Sequence, residues 1–553
     1  MTLPPLIADR LARLAPDQRA AATAVPGPIL CVAPAGSGKT TTLVARIAWL
    51  LATGAAVPEA IAAITFNKRA AVELGERLGL AVEPLGLAPD AVRVRTFHAL
   101  GLEILRDAGE RVEPLVDRMA VLRRVVAEAG PADWRRLDTA FSKLKLDLGV
   151  TAADVAADPE PGPVARAFLL YEAEIAAEGG LDFDDLVARS LRLLERRPDV
   201  LERWRDHCRD LLVDEAQDLD RAQLRLAMTL AAPANRIFLV GDDDQSIYGW
   251  RLADVRRVLA LADSLPGLRR VDLVVNYRCP GVVVERAVRL VEHNVERFAK
   301  TIRPGPDAKG RLVLAADPAE EVVRAGRVLA SWRGHEGSQA ILTRTNRELL
   351  PGIAAALDAD VPFRPPHIEL LLTSPEVDAC LAAVESSTDP RLPLLVRVEA
   401  VRAAWAAEPP DPGADPDAVP RTAIAAAVLA WSAGFQDLAA LRRAVADRRA
   451  AFAALCRDDA SLTFATAHAT KGLEFDDVAV LGMEGGRFPS ARSLSDSPEP
   501  GRALEEERRL AYVAWTRARR SLTLVYDPAT PSSFLLEAFD AAELGVDSAP
   551  GSD

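Results

Sequence analysis

The chain has 553 residues, of which 49% are hydrophobic and 27% charged, and its formal net charge is -13. This length exceeds one typical domain, so we expect about two to four compact units. The acidic charge excludes a uniformly basic nucleic-acid coat, and any DNA contact must therefore be a local groove. Because the sequence shows no leader, no apolar run of about 18 residues and no paired cysteines, we expect a cytoplasmic protein without membrane association.

Short apolar runs alternate with amphipathic helical stretches along the chain. The runs are ILCV (29–32), IAAITF (61–66), LLV (211–213), IFLV (237–240) and VAVLGM (478–483). Each is followed by turn or polar residues, a pattern that predicts buried parallel strands in α/β layers. The runs form two clusters, before and after about residue 275. Mainly helical segments, at about 105–180 and 376–460, interrupt the clusters and indicate helical subdomains inserted into two sheets.

The segment APAGSGKT (33–40) follows the first apolar run and precedes a helical stretch. This context suits a phosphate loop, in which backbone N–H groups and a helix N-terminus converge on phosphates. Gly36, Ser37 and Gly38 would form the loop, with the glycines allowing close approach. Lys39 would reach the β- and γ-phosphates of a nucleotide, and Thr40 would ligate Mg²⁺.

The segment LLVDEAQD (211–218) places two carboxylates at the end of an apolar strand. Asp214 would complete the magnesium shell, and Glu215 would orient and deprotonate the attacking water. Phosphoryl transfer also needs cations around the γ-phosphate, and Arg278 in NYRCP and Arg517 in VAWTRARR are candidates. A phosphate loop followed by this strand predicts a nucleotide-hydrolysing enzyme.

The segment GDDDQSIYGWR (241–251) combines two chemistries in one loop. Three carboxylates and a glutamine are typical of a magnesium-nucleotide site. Tyr248, Trp250 and Arg251 are instead typical of a surface that stacks unpaired bases. The alternative is that both aromatic side chains belong to the core.

Taken in order, these motifs resemble those of superfamily 1 DNA helicases of the UvrD/Rep kind, and the resemblance covers nearly the whole chain. The matching segments are LAPDQRAA (14–21), APAGSGKTTTLVARIAWLL, TFNKRAAVEL (65–74), RTFHAL (95–100), DFDDLV (182–187), LLVDEAQD, GDDDQSIYGWR, NYRCP, ILTRTN (341–346), TAHATKGLEFDDV (466–478), GMEGGRFPS (482–490) and LEEERRLAYVAWTRAR (504–519).

The resemblance implies two RecA-like parallel-sheet P-loop motor domains, each with a mainly helical inserted subdomain. The implied boundaries are 1–104 and 181–275 for the first motor domain, 105–180 for its insert, 276–375 and 461–540 for the second motor domain, 376–460 for a reduced second insert, and 541–553 for a disordered tail.

The resemblance also implies ATP and Mg²⁺ as cofactors and gives roles to further residues. Gln18 would read the adenine edge, Tyr277 would stack on the ring, and Glu474 would contact the ribose. Gln245 would sense the γ-phosphate together with the two arginines named above. Since Gln245 shares a loop with the base-stacking aromatic residues, the loop would couple phosphate state to grip on DNA.

Three more residues match family positions near DNA. Phe66 would stack a base, and His98 and His468 would lie beside the strand, although packing or structural hydrogen bonding are the alternatives. The first insert is locally basic between residues 117 and 149. Its cations could hold a phosphate backbone, but they could equally form a solvated helix face.

We carry two main hypotheses. The first is an ATP-dependent motor that moves 3′ to 5′ on single-stranded DNA, acts at junctions of single- and double-stranded DNA, and serves repair, recombination or replication restart. The second is a nucleotide-gated DNA-binding subunit of a larger complex, with a nuclease or repair factor as partner; the shortened second insert favours it. A metabolic kinase or another P-loop ATPase would leave Tyr248 and Trp250 without a purpose.

Overall fold

The computed structural model describes residues 3–366, 368, 370–407 and 419–545. The chain divides into two compact units. The first unit comprises Met1–Arg311 and Arg492–Thr516, and the second comprises Leu312–Ala491 and Arg517–Asp553. The sequence-based boundaries assign residues 276–311 and 492–516 to the second motor domain, whereas both segments pack within the first unit. The domain boundaries therefore stay a prediction.

The first segment of the chain, up to residue 311, alternates strands and helices. Its described elements are α1 (Pro5–Ala12), α2 (Pro16–Ala22), β1 (Ile29–Val32), α3 (Lys39–Ala52), β2 (Ile61–Thr65), α4 (Lys68–Val82), β3 (Arg93–Thr96), α5 (Phe97–Asp107), α6 (Arg118–Val125), α7 (Pro131–Ser142), α8 (Ala152–Ala156), α9 (Pro163–Glu178), α10 (Phe183–Arg196), α11 (Pro198–His207), β4 (Asp210–Val213), α12 (Arg221–Ala231), β5 (Ile237–Gly241), α13 (Val255–Leu259), α14 (Leu261–Ser264), β6 (Arg269–Asp272), β7 (Val275–Asn276), α15 (Gly281–Val291) and β8 (Arg303–Pro304).

The rest of the chain repeats this alternation around a longer helical segment. Its described elements are β9 (Arg311–Ala316), α16 (Glu321–Ser331), β10 (Gln339–Thr343), α17 (Leu350–Asp358), α18 (Pro375–Ser387), α19 (Leu394–Ala407), α20 (Arg421–Ser432), α21 (Leu438–Leu455), β11 (Leu462–Thr466), β12 (Phe475–Val480), α22 (Ala491–Ser495), α23 (Pro500–Trp515), β13 (Ala518–Tyr526), α24 (Ser533–Ala538) and α25 (Ala541–Leu544).

The first unit is built on a six-stranded sheet with the order β3-β2-β4-β5-β1-β6, in which all neighbouring pairs are parallel. Helices cover both faces, so the four central strands are buried and form continuous apolar runs, whereas the edge strands β3 and β6 are more exposed. Because β4, β5 and β1 are neighbours, their carboxyl ends meet at one edge of the sheet. The phosphate loop after β1, the DEAQD segment after β4 and the GDDDQ loop after β5 therefore lie side by side.

Helices α6 to α9 form the first insert, between α5 and α10. The insert has an apolar core of its own, which includes Val121, Phe141, Phe168 and Tyr171. The insert is connected to the six-stranded sheet through α5 and α10, which pack closely. Gly101 permits this packing because a side chain there would collide with the backbone of α10.

The second unit is built on a five-stranded sheet with the order β11-β10-β12-β13-β9. The pairs β10–β11, β10–β12 and β12–β13 are parallel. Helices α18 to α21 form the second insert around a separate core. Two parallel sheets, each with a mainly helical insert, confirm the predicted fold class. The segment EPPDPGADPDAVP (408–420), whose composition predicts a loop, falls mostly on residues outside the described ranges.

Two further predictions concern the end of the chain and the membrane. The tail predicted to be disordered begins with the short helix α25, which Asp540 and Glu543 cap reciprocally; residues 546–553 lie outside the described part. Among the described helices, none combines the length and the hydrophobicity that a bilayer span requires.

Candidate nucleotide site and aromatic cleft

Glycines shape the loop between β1 and α3. Gly36 and Gly38 have φ values of 67° and 82°, in the left-handed region that favours glycine. A Cβ atom on Gly36 would lie 2.7 Å from Asn276 Oδ1, and one on Gly38 would lie 2.6 Å from Gln18 Nε2. Both positions therefore require glycine, and the loop forms a compact backbone cradle at the N-terminus of α3, as phosphate binding requires.

The remaining loop residues lie where the sequence predicts them. Lys39 begins α3, and its Nζ donates to the carbonyl of Ala33 at 3.3 Å. The Ser37 hydroxyl donates to the carbonyl of Pro34 at 2.7 Å and closes the loop. Thr40 follows Lys39 in the first turn of α3 and is partly exposed. An ammonium group, a hydroxyl and a helix N-terminus thus converge on one cradle.

Gln18 has both ends of its amide engaged. Its Nε2 donates to the carbonyl of Ser37 at 2.8 Å, and its Oε1 accepts from the N–H of Ala15 at 3.1 Å. The side chain is buried between α2 and the phosphate loop. Gln18 therefore braces the loop in addition to the adenine contact that the resemblance implies.

The two carboxylates after β4 lie in different environments. Asp214 is buried, and burial together with the charge of Glu215 raises its pKa to about 7. Glu215 has a φ of 52°, an unusual value for a residue with a side chain. A buried carboxylate beside Lys39 and a phosphate cradle is a donor set that fits a divalent cation carrying phosphate.

Gln217 connects Glu215 to the neighbouring loop, a role that the sequence analysis missed. Its Nε2 donates to Glu215 Oε2 at 2.5 Å, and its Oε1 accepts from the N–H of Asp242 at 3.0 Å. Gly241 allows this approach because a side chain there would collide with the Gln217 amide. Gln217 could have been found from the sequence because it lies within the recognised segment DEAQD. Only the two acids of that segment were given a role.

The three acids of the GDDDQ loop do not form a magnesium site. Lys300 is fully buried and ion-pairs with Asp242, Asp243 and Asp244. Although burial opposes its charge, these carboxylates hold the pKa of Lys300 above its ordinary value. Asp242 also accepts from Gln245 Nε2 at 2.7 Å. The acids therefore orient Gln245 and form ion pairs with Lys300. No sequence motif indicated this lysine.

Tyr277 and Arg278 are anchored to the phosphate loop from within the first unit. The N–H of Tyr277 donates to the carbonyl of Gly36 at 2.9 Å, and its ring is 49% exposed, as a stacking surface needs to be. Asn276 Oδ1 accepts from the N–H of Arg278 at 2.8 Å. Arg278 Nη1 donates to the carbonyl of Thr516 at 3.2 Å.

Three candidate residues belong to the second unit. Arg517 is buried, and its Nη1 donates to the carbonyl of Leu473 at 3.1 Å. Glu474 follows Leu473, is exposed, and pairs with Arg519 at 3.3 Å. His468 lies in a 3₁₀ turn, where burial and the nearby Arg344 lower its pKa to about 4. Arg517 therefore lies close to Glu474 in the second unit.

The aromatic candidates form a ladder on the first unit. The rings of Phe66 and Tyr248 stack with centroids 5.0 Å apart and planes 9° from parallel. Tyr248 meets Trp250 at 6.2 Å, and Arg251 lies 4.7 Å above the Trp250 ring. Trp250 is 57% exposed, which rules out the core-residue alternative for this side chain. Stacked, accessible rings beside an arginine suit unpaired bases.

The ladder borders a cleft of about 1600 Å³ that His98 and Phe183 also line. Their rings stack with centroids 4.0 Å apart, and Phe183 is exposed. Burial lowers the pKa of His98 to about 4, so its imidazole is neutral at pH 7. Phe183 was missed as a site residue, although DFDDLV was recognised as a motif.

Two cations of the basic stretch in the first insert are engaged within the protein. Lys145 is buried and Arg118 is partly buried, and both bond Asp182 Oδ2, at 2.8 Å and 2.7 Å. Lys145 also pairs with Glu172 and Asp185. These two cations fasten the insert to α10 and form neither a phosphate contact nor a solvated helix face, whereas other cations of the stretch are exposed and their phosphate contact stays a prediction.

Comparison with known proteins supports the resemblance to UvrD/Rep helicases. The UvrD/REP helicase N-terminal domain matches residues 14–266, and the UvrD-like helicase C-terminal domain matches residues 452–528. DNA helicase II of Salmonella typhimurium is 28% identical over 610 residues, covering 92% of this chain and 84% of that protein. ATP-dependent DNA helicase PcrA of Staphylococcus aureus is 32% identical over 355 residues, covering 60% of this chain and 48% of PcrA. With both characteristic domains present in order, the chain belongs to the UvrD-like family of superfamily 1 DNA helicases.

Proposed function

We propose that this chain is a DNA-stimulated ATPase that moves 3′ to 5′ on single-stranded DNA and separates duplex at junctions. The observation that carries the proposal is a bonded path from Glu215 through Gln217 and Asp242 to Gln245. The same loop continues into Tyr248 and Trp250. Gln245, proposed for the nucleotide, and the aromatic residues proposed for DNA therefore lie on one continuous segment, which supports a coupled function. The family resemblance supports the polarity and a place in DNA repair, recombination or replication restart.

The phosphate cradle would hold ATP with Mg²⁺. Gly36, Ser37 and Gly38 would present backbone N–H groups to the phosphates, and Lys39 would neutralise their charge. Thr40 and Asp214 would hold the metal ion. When bound, Mg²⁺ neutralises charge that develops on the β- and γ-phosphates.

Glu215 would accept a proton from the attacking water. Gln217 donates to the Glu215 carboxylate and limits its freedom, which keeps the acceptor oxygen directed. Gln245, Arg278 and Arg517 would bond the γ-phosphate oxygens as charge accumulates on them.

The adenosine end would be read by three residues. Gln18 would exchange one of its present bonds for the adenine edge, Tyr277 would offer its exposed ring, and Glu474 would accept from the ribose. Such contacts fix the nucleotide without taking part in the chemistry, so they set affinity rather than turnover.

The DNA strand would run along the aromatic ladder and the adjoining cleft, past Phe66, Tyr248, Trp250 and Arg251, with His98 nearby and His468 from the second unit. Stacking contributes about 1 to 3 kcal/mol per base and is indifferent to sequence. Such contacts suit a motor that passes every base.

The first test is steady-state ATP hydrolysis with and without single-stranded DNA, with Glu215→Gln as the inactive variant. We expect strong stimulation by DNA and a loss of about 10²-fold or more on removing the base, with nucleotide binding retained. Glu202→Gln, the same change at an exposed position on α11, serves as the matched control. Turnover unchanged by DNA would sink the proposal.

Polarity and duplex separation need a second assay. Duplexes with either a 3′ or a 5′ single-stranded tail are mixed with enzyme and ATP, and strand release is followed by fluorescence. We expect release from the 3′-tailed duplex only. Equal release from both tails would contradict the 3′-to-5′ direction while leaving the ATPase intact.

A subunit of a larger complex is the second candidate function. The second insert consists of four described helices around a small core, and we expect it to be shorter than in full-length relatives. If strand release needs a nuclease or repair factor while DNA-stimulated hydrolysis does not, this candidate replaces the autonomous motor.

A further inference from the structure

We propose that Glu506 is a positioning residue that ties the base-stacking turn to α23, and that this tie transmits nucleotide state to DNA grip. The inference rests on the proposed function, because it gives a specific residue the task of joining the two sites. Glu506 itself is expected to touch neither nucleotide nor DNA.

The contact is direct and tightly fitted. The N–H of Gly249 donates to Glu506 Oε1 at 3.0 Å. A Cβ atom on Gly249 would lie 2.5 Å from Glu506 Oε2, so a side chain larger than hydrogen displaces the carboxylate. A backbone donor on a carboxylate forms a charge-assisted bond, which is stronger and more directional than a neutral one.

Gly249 stands between the two aromatic residues that would stack bases. The turn is closed by the N–H groups of Arg251 and Ala253, which both donate to the carbonyl of Tyr248. The Gly249 N–H is not used in this closure and is directed towards α23. A change in its bond to Glu506 therefore moves Tyr248 and Trp250 together with the turn.

The other end of the same helix reaches the nucleotide residues. The carbonyl of Thr516, just after α23, accepts from Arg278 Nη1 at 3.2 Å. Arg517 is the next residue in the chain. About ten residues, or roughly 15 Å of helix, separate Glu506 from this end. A rigid helix would carry a displacement at the γ-phosphate arginines to the aromatic turn.

The middle of α23 is held by a further set of bonds that keep the helix in register. Arg508 Nη1 donates to Asn294 Oδ1 at 2.6 Å, and Arg509 Nη2 donates to the carbonyl of Glu296 at 2.7 Å. This segment leads to Lys300, which pairs with the GDDDQ loop. Since the register does not depend on Glu506, its truncation should release the turn without releasing the helix.

The test compares DNA affinity with and without a non-hydrolysable ATP analogue. In wild type, the analogue is expected to change the Kd for a fluorescent oligodeoxythymidylate, and the ratio of the two Kd values measures coupling. Glu506→Ala is expected to reduce this ratio by about tenfold, the loss of one charge-assisted hydrogen bond. Hydrolysis without DNA should be unchanged. Glu499→Ala, which removes an exposed carboxylate at the start of α23, is the matched control.

A reciprocal change separates direct contact from a general disturbance. Gly249→Ala should reduce coupling because its Cβ collides with Glu506, and it should have little further effect when Glu506 is already alanine. Non-additivity in this double-mutant cycle is the signature of the contact.

The outcomes are distinguishable. Wild-type coupling that persists in Glu506→Ala, or additive effects in the cycle, would overturn the inference and leave the proposed function standing. A wild-type protein that neither binds the oligonucleotide nor is stimulated by it would overturn both.

Discussion

At the scale of single residues, buried charge explains much of the nucleotide site. Three consecutive aspartates lie within one loop, and their mutual repulsion requires nearby cations. Lys300 reaches all three carboxylates, and Arg297 adds two bonds to Asp244, at 3.0 Å and 2.9 Å. The loop is thereby held in the shape that presents Gln245.

We predict that Lys300→Met destabilises the first unit and impairs turnover. Removing one partner of a buried ion pair typically costs about 3–5 kcal/mol, because the remaining charges stay buried. Urea unfolding measures the loss, and kcat should fall more than KM rises, since Gln245 loses its orientation. Lys309→Met, at an exposed position, is the control. Unchanged stability would contradict the structural role of this lysine.

At the scale of elements, N-cap residues fix where the helices beside the cleft begin. Asn67 caps α4, Thr96 caps α5 and Asp182 caps α10, and each places an aromatic or imidazole side chain next to the cleft. Asp220 caps α12 in the same way, with its Oδ1 accepting from the N–H of Gln223 at 2.8 Å. A cap accepts hydrogen bonds from N–H groups that have no partner within the helix. A buried carboxylate, however, lowers the stability of the folded state at high pH, where the carboxylate is charged.

Asp220 gives a pH-dependent prediction. Burial raises its pKa to about 7, so the folded state holds a proton that the unfolded state releases near pH 4. This contribution to stability is complete below about pH 4 and is lost as pH rises through 7. Asp220→Asn keeps the capping oxygen without the charge.

We expect Asp220→Asn to raise the unfolding temperature at pH 8 by about 2–4 °C and to raise it by clearly less at pH 5, where only part of the window between the two pKa values has been crossed. Differential scanning calorimetry at both pH values measures this. Asp437→Asn, the same change at the exposed N-cap of α21, is the control. A stabilisation that is equal at both pH values would refute the buried-charge explanation.

At the scale of the whole molecule, each unit has its own sheet, its own apolar core and its own insert. The phosphate cradle, Glu215 and Asp214, the carboxylate proposed for the metal ion, belong to the first unit. Arg517 belongs to the second and is held there by the carbonyl of Leu473. Some nucleotide hydrolases receive an arginine from outside the phosphate-loop domain, and Arg517 is the candidate of this kind in the proposed function.

We predict that Arg517→Ala lowers kcat by about 10³-fold while nucleotide binding is retained, because the guanidinium acts on charge that develops only in the transition state. Steady-state hydrolysis and equilibrium binding of a fluorescent nucleotide measure the two effects. Arg492→Ala, at a highly exposed position, is the control. A parallel loss of binding would show a role in the ground state instead.

Local motifs were the most predictable part of the fold and the site. The run ILCV coincides with β1, whereas VAVLGM is displaced from β12, which spans Phe475–Val480. The displacement has a local cause: Gly482 has a φ of 73° and the chain leaves the sheet before it. Strands β3 and β6 were not predicted because their arginines interrupt the apolar pattern.

The amino-acid sequence by itself determined the fold class, and it was enough to propose the phosphate loop, the carboxylate for the metal ion and the aromatic turn. Each depends on a short segment whose backbone geometry and chemistry are local. Only the tertiary structure decided what the charged groups do. Lys300, Gln217 and Glu506 lie 2 to 257 positions from the residues they bond. Ion pairing and burial depend on neighbours in space, and spacing along the chain does not reveal those neighbours.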